Sequence, residues 1–495
     1  MIGEDIDKLL TEVYGAGKRV LAVGIHTLVT APPAEMSGAI TRITAGLARL
    51  KLRMIAEDIV GESLFLQCVP LGCDPETEAL LRRTHPFVSA NVADLAPVYG
   101  YFRGIGAPKL LYLSRRGEPV AVDLFAAATA GHFLVVGVTG TGKSFLTNDM
   151  MLMGLRLGMR VIVFDKGDSY GRLCALLGGQ HVIVEPETPL TINPFAGALS
   201  QEKLALLTAV VTEMAQGRTA SDLLSKEHEG MLERAIVLAY QRQEADEEVT
   251  LSDVARVLRG EMGTEGRRLE LRLEPYLHDG RYGHYFDGPN QLTFDRDLTV
   301  FELGRLDHEP ELQTIMMMVL LYRTSQLCAS EPGRQKFVIS DEASAMFQSE
   351  NAARFLGEAA RMYRRYDTAL GSITQQPRDF LQSRGGQAVR DNTQIRFLLP
   401  QAPDVAEVVS AELHLTPEKQ QLFASLESVP GKFAEALLDT PTASGVIRIV
   451  RPPSMYWLFT TKPNERHYLD RLVQETGSVS AAIAQAATEY PHGIP

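Results

Sequence analysis

Gly137-Val138-Thr139-Gly140-Thr141-Gly142-Lys143-Ser144 is a glycine-rich turn closed by a lysine and a hydroxyl, the residue set that chemistry on nucleotide phosphates requires. The glycines let backbone N–H groups curl around phosphate oxygens, Lys143 brings positive charge to the β and γ oxygens, and the Ser144 hydroxyl can ligate Mg²⁺. Phe145 completes the candidate nucleotide-binding run. Much later, the apolar run Lys336-Phe-Val-Ile-Ser340 ends in Asp341-Glu342. Asp341 is suited to hold the Mg²⁺ shell, and Glu342 to orient and deprotonate an attacking water. Neighbouring residues on a strand point to opposite faces, so the two acids can divide that work. The same pair could instead cap a helix starting near Ser344, a role that the presence of Lys143 makes secondary. Gln375, in Thr374-Gln375-Gln376-Pro377, is a candidate γ-phosphate contact, and Asp165-Lys166-Gly167 also sits where ligand loops gather. Arg361, Arg364 and Arg365 cluster ahead of that glutamine, and Arg396 follows it. Arg364 and Arg365 are candidate arginine fingers, which would need a neighbouring subunit, whereas each arginine singly could be an ordinary solvated salt-bridge partner.

A phosphate turn works only between a buried strand and a helix that starts on it, which adds the positive end of the helix dipole. The apolar run Phe133-Leu-Val-Val136 supplies the strand, and the residues after Lys143 are helix-compatible. From 107 to 195 strand and helix patterns alternate, with strands expected at 109–113, 132–136, 160–164 and 181–184 and a helix around 169–177. Such alternation predicts an α/β fold with a parallel sheet covered on both faces. Helical spacing of Leu204, Leu207, Val211 and Met214, and of later apolar sets, predicts an all-helical insertion at about 199–290. Strands at 299–303, 336–341 and 366–373 and a long helix from 309 to 329 then complete the sheet. Before the boundary placed near 105, residues 20–30 and 54–69 read as strands around a helix at 35–50, and 74–105 as a helix and connector. The expected domains are therefore 1–105, small and α+β, and 106–495, the motor.

Composition narrows the class further. Hydrophobic residues at 45% and charged residues at 22% are those of an ordinary globular chain. With 49 Lys and Arg against 61 Asp and Glu, the net charge of −12 lends no support to a protein that coats nucleic acid. Cys68, Cys73, Cys174 and Cys328 form no CxxC pair, so neither a disulfide framework nor a zinc site is expected. His278 and His284 lack the companions of a metal centre. Trp457 is expected in a strand or core, and Met316, Met317 and Met318 in core packing. The longest strongly apolar run, 315–321, falls short of the ~18 to 20 residues of a spanning helix, and no secretory signal opens the chain, so a cytoplasmic location is expected.

The ordered set of short motifs resembles the cytoplasmic ATPases of type IV secretion and conjugation systems, of the TraC and VirB class. It comprises the phosphate turn, Phe164-Asp-Lys-Gly-Asp-Ser-Tyr170, Ile192-Asn-Pro-Phe195, Asp341-Glu-Ala343, Tyr363-Arg-Arg-Tyr366, Thr374-Gln-Gln376, Asp391-Asn392, Gly431-Lys-Phe-Ala-Glu435 and Leu458-Phe-Thr-Thr461. The resemblance implies a RecA-like motor of the FtsK/HerA group that hydrolyses ATP with Mg²⁺ to drive pilus assembly and substrate export. It also implies a homo-oligomer, hexamer or dimer, docked on an inner-membrane secretion channel, with DNA or protein as the transported substrate. Residues 1–105 look like the final portion of that family's larger N-terminal domain. Ser344 departs from the family, where tryptophan is common. A soluble FtsK/HerA-like or coupling-protein-like DNA translocase is the alternative.

Overall fold

The computed structural model describes residue 13 and residues 18–49, 52–69, 72, 74–95, 101–126, 131–138, 140–185, 190–216, 223–244, 247–341, 357, 359–375 and 384–494. The chain divides into two compact units, Met1–Gly100 and Tyr101–Pro495. In the first, β1 (Val20–Val23) is followed by three helices, α1 (Met36–Arg49), α2 (Gly61–Cys68) and α3 (Pro75–Leu81), and then by β2 (His85–Val88) and α4 (Ser89–Leu95). β1 and β2 pair antiparallel, with Val20 opposite Val88. The expected strand at 54–69 is absent. Its apolar residues lie instead on and ahead of α2, and the second strand falls inside the stretch read as a connector. Short apolar runs do not distinguish strand from helix, and Gly61 starts a helix too brief to show periodicity.

Among the described residues the second unit is built on a thirteen-stranded mixed sheet. It opens with β3 (Gly104–Ile105), β4 (Leu110–Leu113), β5 (Pro119–Val122) and β6 (Phe133–Val136), followed by α5 (Lys143–Arg156), β7 (Arg160–Asp165), α6 (Gly171–Leu176) and β8 (Gln180–Ile183). The helical insertion follows as α7 (Gln201–Ala215), α8 (Lys226–Arg242), α9 (Leu251–Glu261), α10 (Gly263–Leu273) and the short α11 (Gly283–Phe286). The sheet resumes with β9 (Leu298–Glu302), α12 (Pro310–Ser330), β10 (Lys336–Asp341), β11 (Thr368–Thr374), α13 (Arg384–Asn392) and β12 (Ile395–Leu398). The chain continues through α14 (Pro403–Glu412), α15 (Pro417–Ala424), β13 (Ser428–Val429), β14 (Phe433–Asp439) and β15 (Ser444–Ile449), and closes with α16 (Pro453–Phe459), α17 (Pro463–Thr476) and α18 (Val479–Glu489).

Seven strands in the order β12-β6-β11-β10-β7-β9-β8 are mutually parallel. This is the expected core. Its strands read as continuous apolar runs because both faces are covered, and β6, β7, β9, β10 and β11 are buried at every position. Beyond β12 the sheet continues through antiparallel pairings of β14, β15, β4 and β5, a wing that the α/β alternation did not announce. The side-chain alternation separates two cores. Leu134, Val136 and Val338 pack with the insertion and with α12, including Met316 and Met318, while Phe133, Val135, Phe337 and Ile339 pack with Leu146 and Met150 of α5. Asp341 follows Phe337 and Ile339 in phase and so belongs to the α5 face. Among the described residues no helix is long and apolar enough to cross a membrane.

Trp457 is buried, as expected, but on a helix: α16 packs it among Leu469, Leu472 and Ala482, and its indole N–H donates to the Tyr490 carbonyl at 2.8 Å. The motif around Asn193 is structural. Its side-chain amide donates to the Val249 carbonyl and its oxygen accepts the Phe195 N–H, while the Lys203 ammonium donates to the carbonyls of Phe195, Ala196 and Gly197.

At the foot of β6, buried His132 accepts the Leu370 N–H on Nδ1 at 2.9 Å and donates from Nε2 to the Ala360 carbonyl at 2.8 Å. Both bonds require a neutral ring. Burial pushes its pKa down, the Arg364 charge adds to that, and the Ala360 carbonyl opposes it. An unfolded histidine takes up a proton near pH 6.5 while the folded one resists, so the unfolded state binds more protons below that value. Stability is therefore expected to fall as pH drops below about 6.5, by up to about 1.4 kcal/mol per pH unit from this group. Thermal melting between pH 7.5 and 5 checks it, and His132→Gln should flatten that part of the curve.

Candidate active site

The turn after β6 is shaped by its glycines and by the two neighbouring strands. Gly140 and Gly142 have φ of +83° and +101°, a left-handed backbone that L side chains rarely adopt. Gly137 donates its N–H to the Thr374 carbonyl at the end of β11, and the Leu399 N–H donates to the Val136 carbonyl. Inside the turn the Thr141 hydroxyl donates to the Val138 carbonyl at 2.7 Å. α5 then begins at Lys143, which is buried, so its N-terminal N–H groups and the lysine cation share one small volume. Further along α5 the side chains of Thr147 and Asn148 bind back to the carbonyls of Lys143 and Ser144.

Strand order brings Asp341 towards this turn. β11 lies between β6 and β10, so Asp341 stands two strands from Val135 along one cross-strand row that runs through Ile373. At ~4.8 Å per strand that is about 10 Å, the span of a phosphate chain with its cation. Gln375 leaves the tip of the intervening strand and lines the same cavity as Gly140, Lys143, Ser144 and Phe145. Glu342 and Thr139 lie outside the described residues. Arg364 and Arg365 are exposed at the opposite, amino end of β11, roughly 20 Å from Gln375 at ~3.3 Å per residue, beyond the reach of their own turn. Arg361 is likewise exposed, and Arg396 is ion-paired with Asp439 at 3.3 Å.

Asp341 does not stand alone. Asp165 ends β7 and Glu302 ends β9 on the same face, giving three buried carboxylates across adjacent strands. Glu302 accepts N–H groups from Gly167, Asp168 and Gly304 at 3.2, 2.7 and 2.7 Å, so its role is to hold the loop after β7. Asp165 accepts the Tyr170 N–H at 3.1 Å, and its other oxygen is buried with no hydrogen-bond partner among the described residues. Burial, then the charges of Glu302 and Asp341, push the Asp165 carboxyl well above the usual range. Such a dense anionic site suits a hard cation. The donor set of Ser144 and Asp341 fits Mg²⁺, which keeps several waters and takes further oxygens from substrate phosphates. Among the described residues no group of three or more His, Cys, Asp or Glu side chains is placed to hold a metal ion.

The far wall of the cavity comes from sequence that pattern reasoning passed over. It has a volume of about 310 Å³, at the lower end of the ~300–1,000 Å³ typical of ligand sites, and is closed by residues 428–434 and by Tyr456, Phe459 and Thr460. Phe459 meets Phe145 edge to face at 5.3 Å, and Arg451 is anchored bidentately to Asp149 of α5. Gly431 has φ +74°, and a Cβ there would lie 2.0 Å from the His492 carbonyl oxygen, so this wall accepts only glycine at that point. The motifs 431–435 and 458–461 that carry the family resemblance thus lie at this cavity, beside the phosphate turn.

A family model described as the TraG P-loop domain matches residues 111–253 and 264–490, most of the chain. The chain belongs to that family. The chain is 25% identical over 458 residues to Protein TraC of Escherichia coli (strain K12), covering 87% of this chain and 50% of TraC. It is 23% identical over 317 residues to the type IV secretion system protein CagE of Helicobacter pylori (strain ATCC 700392 / 26695), covering 56% of this chain and 31% of CagE. The chain thus spans half the length of TraC and less of CagE. In structure it is similar to VirB4 of Thermoanaerobacter pseudethanolicus, with a TM-score of 0.60 and 22% identity over 74% of this chain and all of that one. The fold is accordingly that of a P-loop NTPase of the α/β class.

Proposed function

We propose that this chain is the ATP-hydrolysing motor of a type IV secretion or conjugation system, acting in the cytoplasm at the inner membrane on pilus assembly or substrate transfer. One observation supports the reading: the start of α5, Lys143, Ser144 and Gln375 line one cavity, and strand order sets Asp341 on the strand next but one to β6. The likeness to TraC and CagE supports the system assigned.

In this reading the N–H groups of the turn and Lys143 hold the phosphates and stabilise charge as it develops on them. Mg²⁺, when bound with the nucleotide, neutralises phosphate charge, and Ser144 and Asp341 would hold it. Gln375 touches the γ-phosphate, and Glu342 takes the proton of the attacking water. Tyr456 and Phe459 form the wall against which the base rests. Arg364 and Arg365, remote from their own turn, serve the site of a neighbouring copy in a ring or dimer.

Phosphate release measured against protein concentration tests this arrangement. Specific activity should rise as copies assemble, and Arg364→Ala with Arg365→Ala should lower it on the order of 10³-fold while nucleotide binding persists. Activity independent of both concentration and these arginines would remove the subunit-bridging role. Strong stimulation by DNA with steep salt dependence would instead mark a DNA translocase.

A further inference from the structure

The loop after β7 carries a tyrosine that the proposed chemistry does not use. Tyr170 is fully buried, and its hydroxyl donates to Asp341 Oδ2 at 2.8 Å. Its backbone N–H donates to Asp165, and the hydroxyl of Thr147, on the first turns of α5, faces the phenol oxygen. A phenol placed in an acidic, dry pocket is costly unless it donates, and here its acceptor is the carboxylate assigned to the cation. The loop that carries it is fixed from two sides. Glu302 accepts the N–H groups of Gly167 and Asp168, and Arg466 of α17 donates to the Asp168 carbonyl and pairs with its carboxylate at 2.7 Å.

We propose that Tyr170 is the positioning residue for Asp341: its hydroxyl fixes the plane of that carboxylate and so sets how it meets the hydrated cation beside the phosphate turn. This rests on the nucleotide–Mg²⁺ reading above. The hydrogen bond holds Oδ2 and thereby orients Oδ1, while the phenol oxygen lies beside the Thr147 side chain of the helix that begins at Lys143. Cation and phosphate groups are thus referred to one rigid frame. Partners of this kind orient metal ligands, and their loss costs roughly 10- to 100-fold in metal affinity.

The test titrates Mg²⁺ against the full chain holding a fluorescent, non-hydrolysable ATP analogue, and repeats the binding in EDTA. In Tyr170→Phe the half-saturating Mg²⁺ concentration should rise roughly tenfold, with affinity in EDTA unchanged. In an Asp341→Asn background the same substitution should add nothing. Arg466→Ala, which releases the loop that carries Tyr170, should shift the Mg²⁺ requirement in the same direction by less, and it decides the matter if Tyr170→Phe does not fold. A wild-type chain that needs Mg²⁺ and variants whose requirement is unmoved would overturn the role of Tyr170 alone. A wild-type chain whose nucleotide binding ignores Mg²⁺, or that binds none, would overturn the functional reading and this one with it.

Discussion

Lys143→Ala is expected to lower ATP turnover by about 10²- to 10³-fold and to weaken nucleotide binding, without unfolding the chain. The lysine is buried at the first turn of α5, where it and the helix N-terminus are aimed at one small volume. Other cations on the cavity wall are placed elsewhere: Arg451 is held by Asp149, Lys462 by Glu465, and Lys432 belongs to the far wall of residues 428–434. The turn itself is kept by Gly140 and Gly142 and by the bonds from Thr141 and Gly137, none of which involves the lysine side chain. Phosphate release and fluorescent-nucleotide binding measure the two effects, and a melting curve within a few degrees of wild type confirms that the loss is local.

Glu342→Gln is the second large effect, and it should separate binding from chemistry. Glutamine keeps the size and one acceptor of the side chain but cannot take a proton, so turnover should fall by about 10²- to 10⁴-fold with nucleotide affinity kept within a few-fold. The neighbouring acid predicts a different pattern. Asp341 is tied to Tyr170 and faces α5, so Asp341→Asn should act through the Mg²⁺ requirement of binding. If both substitutions weakened nucleotide binding alike and left the chemical step untouched in single-turnover assays, the division of labour between the acids would be wrong.

The site was legible where the chemistry is local in sequence. The phosphate turn declares itself because glycine positions, lysine and hydroxyl are adjacent, and β6 and β10 because strands buried on both faces are uninterrupted apolar runs. The insertion follows from 3.6-residue periodicity over long segments, and α12, buried on nearly all sides, shows only as a long apolar stretch. What escaped depends on distant segments meeting. The wall of residues 428–434 and 456–460 faces the turn only because β14 pairs with β12, beside β6, and because α16 packs on α5. No periodicity within those segments encodes that. Tyr170 escaped for a related reason. Its spacing from Asp165 marks the loop, but only the parallel pairing of β7 with β10 carries that loop to Asp341. The arginines show the reverse case. Their cluster is plain in sequence, and the direction of β11 is what places Arg364 and Arg365 away from their own nucleotide site.

The most direct test of the central claim, that the glycine turn and the β10 acid close on one nucleotide, is an experimental structure with a non-hydrolysable ATP analogue and Mg²⁺. The account predicts the triphosphate on the N–H groups of residues 140–144 and on Lys143, the cation between Ser144 and Asp341, and the base against Tyr456 and Phe459. Nucleotide density elsewhere on the chain, or a cation remote from Asp341, would contradict it.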